Sequence, residues 1–190
     1  MQMVRIPISI LSVLAIGLAG CATLSTDECS TGDWHKIGVQ DGNDGRTLDR
    51  FVQHAKACKL DRSDASRALY VSGREKGLTK YCTTVRGYRE GALGQTYNGV
   101  CAGGSAAQFM KGYELGQRIY KAESQSSTTL DNYHVVTRKL LRTGSEAERA
   151  QLLKEQARLE SENARLKREI QELRTQADAM VSSSRKQKNL

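Results

Sequence analysis

The sequence predicts an all-α fold: a small glycine-rich helical domain stapled by disulfides, followed by a C-terminal coiled-coil helix. Three observations predict it. The only proline is Pro7, so from Ala22 onward every residue keeps the backbone N–H that a helix needs. β-branched runs are few, which argues against a β-sandwich. Leu152, Leu159, Leu166, Leu173 and Met180 recur every seven residues, the period of a coiled-coil seam.

The first element is a signal. Arg5 gives a positive start, Ile6 to Ile16 an apolar stretch, and Leu18-Ala19-Gly20-Cys21 sets two small residues before a cysteine. That is the pattern of a cleaved secretory signal over residues 1–20. The tetrapeptide resembles the lipobox of bacterial lipoproteins, and the resemblance implies acyl chains on Cys21. At ~0.8 kcal/mol per buried methylene, several chains anchor a protein durably. The apolar run is too short to span a bilayer comfortably. Ala22, not an aspartate, follows Cys21, which resembles chains sent on to the outer membrane. The expected location is the periplasmic face of that membrane, with residues 21–28 as a lipid-anchored tether.

Four cysteines remain: Cys29, Cys58, Cys82 and Cys101. An even number in an oxidising compartment reads as two disulfides. Three pairings are possible, and the sequential pairs Cys29–Cys58 and Cys82–Cys101 are favoured. No pair has C-x-x-C spacing and His35, His54 and His134 are scattered, so zinc is not expected.

The stapled domain is expected over residues 29–122. Arg46 to Leu60 reads as an amphipathic helix with Leu48, Phe51, Val52 and Ala55 on one face. Asp61 to Asp64 reads as a helix start, and the helix should run through Leu69 and Tyr70 to Tyr81-Cys82. A third helix is expected from Ser105 to Lys121. Between the second and third, Gly87 to Cys101 reads as a glycine-rich turn bracketed by Cys82 and Cys101. Glycines four apart recur as Gly38/Gly42, Gly73/Gly77, Gly87/Gly91 and Gly112/Gly116. Trp34, Tyr70 and Phe109 precede three of these pairs by three or four residues. A helical glycine costs ~1 kcal/mol relative to alanine, so repeated use needs a return. Close backbone approach, or left-handed helix ends, would supply it.

Residues 123–148 are expected to be a polar linker, Ser124 to Thr129, with a short helix over Leu130 to Leu141. Residues 149–181 form the coiled-coil helix. With the leucines at d, Asn163 and Ile170 fall at a. Leu d positions around a central Asn resemble parallel dimers, in which the Asn fixes register. Leu152, Leu159, Asn163, Leu166, Ile170 and Leu173 are therefore the expected homodimer contacts. Glu162 would meet Lys167, and Glu169 would meet Arg174, of the partner. The basic tail, residues 182–190, is expected to be disordered alone, and anionic cell-wall polymer is a plausible electrostatic partner.

Chemistry finds little support. Gly87 to Gly94 lacks the strand–loop–helix frame and Lys-Ser/Thr of a phosphate loop. Asp41-Gly42-Asn43-Asp44-Gly45 lacks the glycine at six and the glutamate at twelve of a calcium loop, and reads as a turn between two elements. Glu75, Glu90 and Glu114 each sit between paired glycines and read as solvent-facing. Cofactors, metals and nucleic acid are not expected; the net charge of +8 over 190 residues is a solvated surface.

Trp34-x3-Gly38-x2-Asp41-Gly42-x2-Gly45, Tyr81-Cys82-Thr83, Gly87-Tyr88-x2-Gly91-x2-Gly94-x2-Tyr97-x-Gly99-Val100-Cys101 and Phe109-x3-Tyr113-x2-Gly116 follow one another. Together they resemble the signature of a proteobacterial lipoprotein family known as domain of unknown function 2799. The likeness covers roughly Cys29 to Lys121 and brings no activity with it. The expected function is therefore a non-enzymatic outer-membrane scaffold, tether or interaction module. The alternatives are a small cell-wall hydrolase using carboxylates and an accessory subunit of an envelope machine.

Overall fold

The computed structural model describes residues 23–59 and 64–188. Among them are seven helices and no strand: α1 Thr26–Thr31, α2 Trp34–Asn43, α3 Asp49–Ala57, α4 Asp64–Tyr81, α5 Thr84–Ala92, α6 Gly103–Leu140 and α7 Glu146–Lys188. The all-α, disulfide-stapled expectation holds. Cys21 lies outside the described residues.

Local sequence sets the helix starts. Ser25 caps α1: its hydroxyl accepts the Glu28 N–H, and the Glu28 carboxylate accepts the Ser25 N–H in return. Asp33 caps α2 and Thr83 caps α5 through side-chain oxygens. Gly32 ends α1 in the left-handed conformation.

The four glycine pairs build two helix crossings. Gly38 and Gly42 on α2 meet Gly73 and Gly77 on α4; Gly87 and Gly91 on α5 meet Gly112 and Gly116 on α6. At each, an added Cβ would run into backbone of the opposite helix. Both uses inferred for glycine are present, because Gly45 and Gly94 also take positive φ. A Cβ on Gly45 would strike the Tyr81 ring, and one on Gly94 would strike the Tyr120 ring. Tyr81 follows Gly77 by four residues and Tyr120 follows Gly116 by four. The domain is thus two structural copies of one unit, α2–α4 and α5–α6, with a disulfide in each.

Each unit has its own core. Leu24, Trp34, Ile37, Phe51, Ala55 and Tyr70 form the first; Tyr81, Cys82, Phe109 and Tyr113 form the second, with Tyr97 packed against them. Phe109 stacks on Tyr81 at 5.0 Å between ring centres and lies 4.5 Å from Tyr97. The disulfides are Cys29–Cys58 and Cys82–Cys101, the favoured pairs.

Several expectations need correction. The helix expected over Arg46 to Leu60 is the shorter α3. Its buried face is Phe51, His54 and Ala55, while Leu48 and Val52 are exposed. Gly87 to Cys101 is not one turn. Its first part is the helix α5, because Gly87 and Gly91 are needed at a helix crossing rather than at a bend. Only the part after Ala92 is a loop. There the Tyr113 hydroxyl donates to the Gln95 carbonyl at 2.7 Å, and the Tyr97 hydroxyl accepts the Cys101 N–H at 2.9 Å.

The expected linker at Ser124 to Thr129 is the middle of α6, which runs unbroken to Leu140. Ile119, Ala122, Ser126, Tyr133, Val136 and Leu140 continue a heptad spacing through it, while Ser124, Ser127 and Thr128 lie on its exposed face. After a break at residues 141–145, α7 returns antiparallel along α6. Leu159 packs with Val136 and Leu140, and Leu173 and Ala177 pack with Ile119. Leu166 is fully buried. The seven-residue seam is real, and α6 of the same chain packs along it. Asn163 accepts a hydrogen bond from Ser126 at 2.8 Å. Glu162 and Glu169 both pair with Arg165 on their own helix, and Arg174 pairs with Glu123 on α6. Expected disorder from residue 182 is likewise corrected: α7 stays helical to Lys188.

Candidate functional site

The most structured polar cluster lies in the first unit, where the chain enters the fold. Asp41 is in the last turn of α2, His54 on the inner face of α3, and Tyr70 on α4. All three are buried. His54 Nε2 lies 2.8 Å from Asp41 Oδ2, and the Tyr70 hydroxyl donates to the same oxygen at 2.7 Å. His54 Nδ1 lies 2.8 Å from the Thr23 hydroxyl.

The chemistry orders the protons. An ionised carboxylate only accepts, so Nε2 of His54 carries the proton toward Asp41. In the neutral ring Nδ1 is then an acceptor, and the Thr23 hydroxyl donates to it. Burial pushes the Asp41 carboxyl up, but the hydrogen bonds from His54 and Tyr70 outweigh it and hold the group below the usual range. Burial, and the bond to that carboxylate, push the Tyr70 phenol well above its ordinary value.

Thr23 does not reach His54 alone. Leu24, the next residue, is buried in the core beside Trp34, Phe51 and Tyr70. Cys29 in α1 is then bonded to Cys58 just past α3. The expected tether over residues 21–28 is therefore a strap fixed to the domain from Thr23 onward. A hydroxyl to anchor and an apolar side chain to bury are what turn a tether into a strap.

A polar cavity of about 150 Å³ opens beside the strap. Asp41, His54 and Ile37 floor it; Thr23, Glu28, Asp44, Arg46 and Arg50 surround it. Arg74, itself buried, donates through Nε to the Arg46 carbonyl at 2.7 Å and so fixes the rim from α4. Arg50 shares a hydrogen bond with Gln53 through one terminal nitrogen, while its Nε is buried with no partner.

The order hydroxyl, imidazole, carboxylate is also the order of a nucleophilic relay. Here it joins a residue of the incoming strap to the core beneath it, and the adjoining Leu24 and Cys29 fix the same strap. The arrangement is best suited to docking.

None of these residues except the cysteines stood out as a site in the sequence. His54 has no motif around it. Its signal was weaker: a histidine at the i+3 position from Phe51, on the face of a helix that must be buried. Asp41 lay in the segment read as a turn, which Asp44 and Gly45 do form. The carboxylates weighed for catalysis do not converge. Glu75 and Glu114 are exposed on α4 and α6, and Glu90 pairs with Arg86 at 2.7 Å. Among the described residues no cluster of His, Cys, Asp and Glu has the makings of a metal site. Leu152 and Ile170 are half-buried along the α7 seam, beside the buried Leu159, Leu166 and Leu173.

Fold and site define a class: a small helical domain of two glycine-crossed, disulfide-stapled units, with its entering strap pinned by a buried histidine. Residues 33–118 match the model of the family described as "Protein of unknown function (DUF2799)". That span begins at the cap of α2 and ends within α6, so it takes in both crossings and leaves α7 outside. No curated protein and no solved structure significantly matches the chain.

Proposed function

We propose that the chain is a lipoprotein anchored through Cys21 at the periplasmic face of the outer membrane, where it acts as a non-enzymatic scaffold. The observation that carries this reading is the docked strap. Leu18-Ala19-Gly20-Cys21 ends two residues before Thr23, the first residue bonded to the domain. An acylated Cys21 would set the domain directly against the bilayer. The α6–α7 hairpin beyond the second core then projects from it as an arm: residues 123–140 of α6 give a rod of ~27 Å at ~1.5 Å per residue.

The arm favours a protein contact. Leu141, at the start of the break between α6 and α7, is 82% exposed, and Leu153 is more than half exposed. Apolar side chains at a projecting tip suit an envelope protein as partner, the accessory-subunit reading; peptidoglycan is the other surface within such a reach.

Metabolic labelling with an alkynyl palmitate tests the anchor. The intact chain should be labelled and fractionate with the outer membrane. Cys21→Ala should be unlabelled and retain its signal. Equal labelling of both would overturn the reading.

A further inference from the structure

We propose that the polar cavity beside Thr23 seats the headgroup of a zwitterionic phospholipid, a phosphate carrying an ammonium arm. The inference rests on the anchored reading above and names the surface that meets the bilayer.

Reach comes first. Thr23 is held by His54 and Leu24 is buried in the core, so only Ala22 separates the fixed strap from Cys21, two Cα steps away. Two extended residues span at most ~7 Å. Whatever part of the domain surrounds Thr23 is therefore brought to headgroup level, and the cavity is lined by Thr23 itself.

Charge comes second. The lining holds both signs. Arg46 is exposed at the rim, and Arg50 lines the same cavity with a buried Nε–H that has no hydrogen-bond partner. A guanidinium with a free N–H edge is suited to phosphate oxygens. Asp44 and Glu28 line the same cavity as carboxylates for an ammonium. A headgroup with phosphate alone would satisfy the arginines and be repelled by the carboxylates. A headgroup with both charges satisfies both. The third carboxylate, Asp41, already has Oδ2 filled by His54 and Tyr70 and forms the floor.

Size is the third point. A volume of about 150 Å³ equals that of about five waters at ~30 Å³ each. It admits a phosphate and a two-carbon arm, but not acyl chains, which the polar lining also excludes.

The test uses the lipidated mature protein in vesicles, with hydrogen exchange read by mass spectrometry over the peptide spanning Asp41 to Phe51. One set of vesicles contains phosphatidylethanolamine with phosphatidylglycerol; the other contains phosphatidylglycerol alone. Exchange should be about tenfold slower with phosphatidylethanolamine, the effect of one charge-assisted hydrogen bond. Arg46→Gln, at an exposed side chain that the fold does not need, and Arg50→Gln should each abolish the difference. Equal exchange in both vesicles, or a difference that survives both substitutions, would overturn the proposal. Flotation of the protein with the vesicles is scored separately. A chain that does not float contradicts the anchor, whereas one that floats without selective protection contradicts the headgroup site alone.

Discussion

Gly42 on α2 and Gly77 on α4 face each other so closely that a Cβ built on either would stand within 3 Å of the other's Cα: 2.9 Å from Gly42 and 2.8 Å from Gly77. Neither neighbour can rotate away, because both are backbone. This explains why the chain accepts the propensity cost of helical glycine at this crossing. Gly42→Ala and Gly77→Ala should each destabilise the fold by about 2 kcal/mol, as overpacking does. Gly104→Ala, in the first turn of α6 with nothing within 4 Å, should be neutral or slightly stabilising. Urea unfolding followed by circular dichroism separates the two outcomes; equal effects at all three positions would contradict the close-approach role.

The strap cluster gives stability a pH dependence. Asp41 has a depressed carboxyl in the fold, so its contribution is present above the unfolded value of about 3.9 and is lost as pH falls through the lower folded value. Tyr81 is shifted the other way: burial first, and the Glu90 charge second, push its phenol up to about 12. Its contribution is intact below about pH 10 and disappears as pH rises through 12. Thermal melts should be flat across neutral pH and fall at both extremes. Asp41→Asn should flatten the acid limb, and an unchanged acid limb would contradict the assignment.

Each unit has its own staple, so the disulfides should act separately. The bonds close separations of 29 and 19 residues. On the chain-entropy account each is worth about 3 kcal/mol. Replacing Cys82 and Cys101 together by Ser should loosen the loop after α5 and leave the Thr23 strap docked, whereas replacing Cys29 and Cys58 should release the strap. Peptide mapping without reductant should recover the two sequential pairs, and limited proteolysis should cut each variant in its own unit. Cleavage at the same place in both would contradict the two-unit description.

The returning helix predicts an intrachain cross-link. Ser126 and Asn163 are hydrogen-bonded across the hairpin at 2.8 Å. Ser126→Cys with Asn163→Cys should therefore form a disulfide within one chain, seen as a faster monomer band on non-reducing gels. Dimer bands alone would mean that α7 pairs with a second copy. Leu166→Ala should cost about 2–5 kcal/mol, the usual range for a buried leucine, because Leu166 is 1% exposed.

How much of this was legible follows from what each signal encodes. Paired glycines with neighbouring aromatics announced close helices, and cysteine parity announced two staples, because both patterns are local. The seven-residue spacing in α7 was equally plain, but a heptad specifies a seam and says nothing of which helix fills it. The matching spacing in α6 is diluted by Ala122, Ser126 and Thr129, so the segment read as a linker. Leu48 and Val52 fit a helical face as well as Phe51 and Ala55 do; only the position of α4 and Tyr70 decides which face is buried. The strap was the least legible part. Thr23, Asp41, His54 and Tyr70 are spread over 48 positions, and no local pattern joins residues that only the fold brings within hydrogen-bond distance.

The docked strap is the point on which the anchored reading and the headgroup site both stand. The most direct measurement is a methyl NOE spectrum of the mature chain. Leu24 is 9% exposed and packed in the core cluster with Trp34, Phe51 and Tyr70. Its methyl groups should be shifted upfield by those rings and show NOEs to the Trp34 indole and the Phe51 ring, and His54→Ala should weaken them. Leu24 methyl signals at random-coil positions, with no NOE to either ring, would show a free tether and contradict the account.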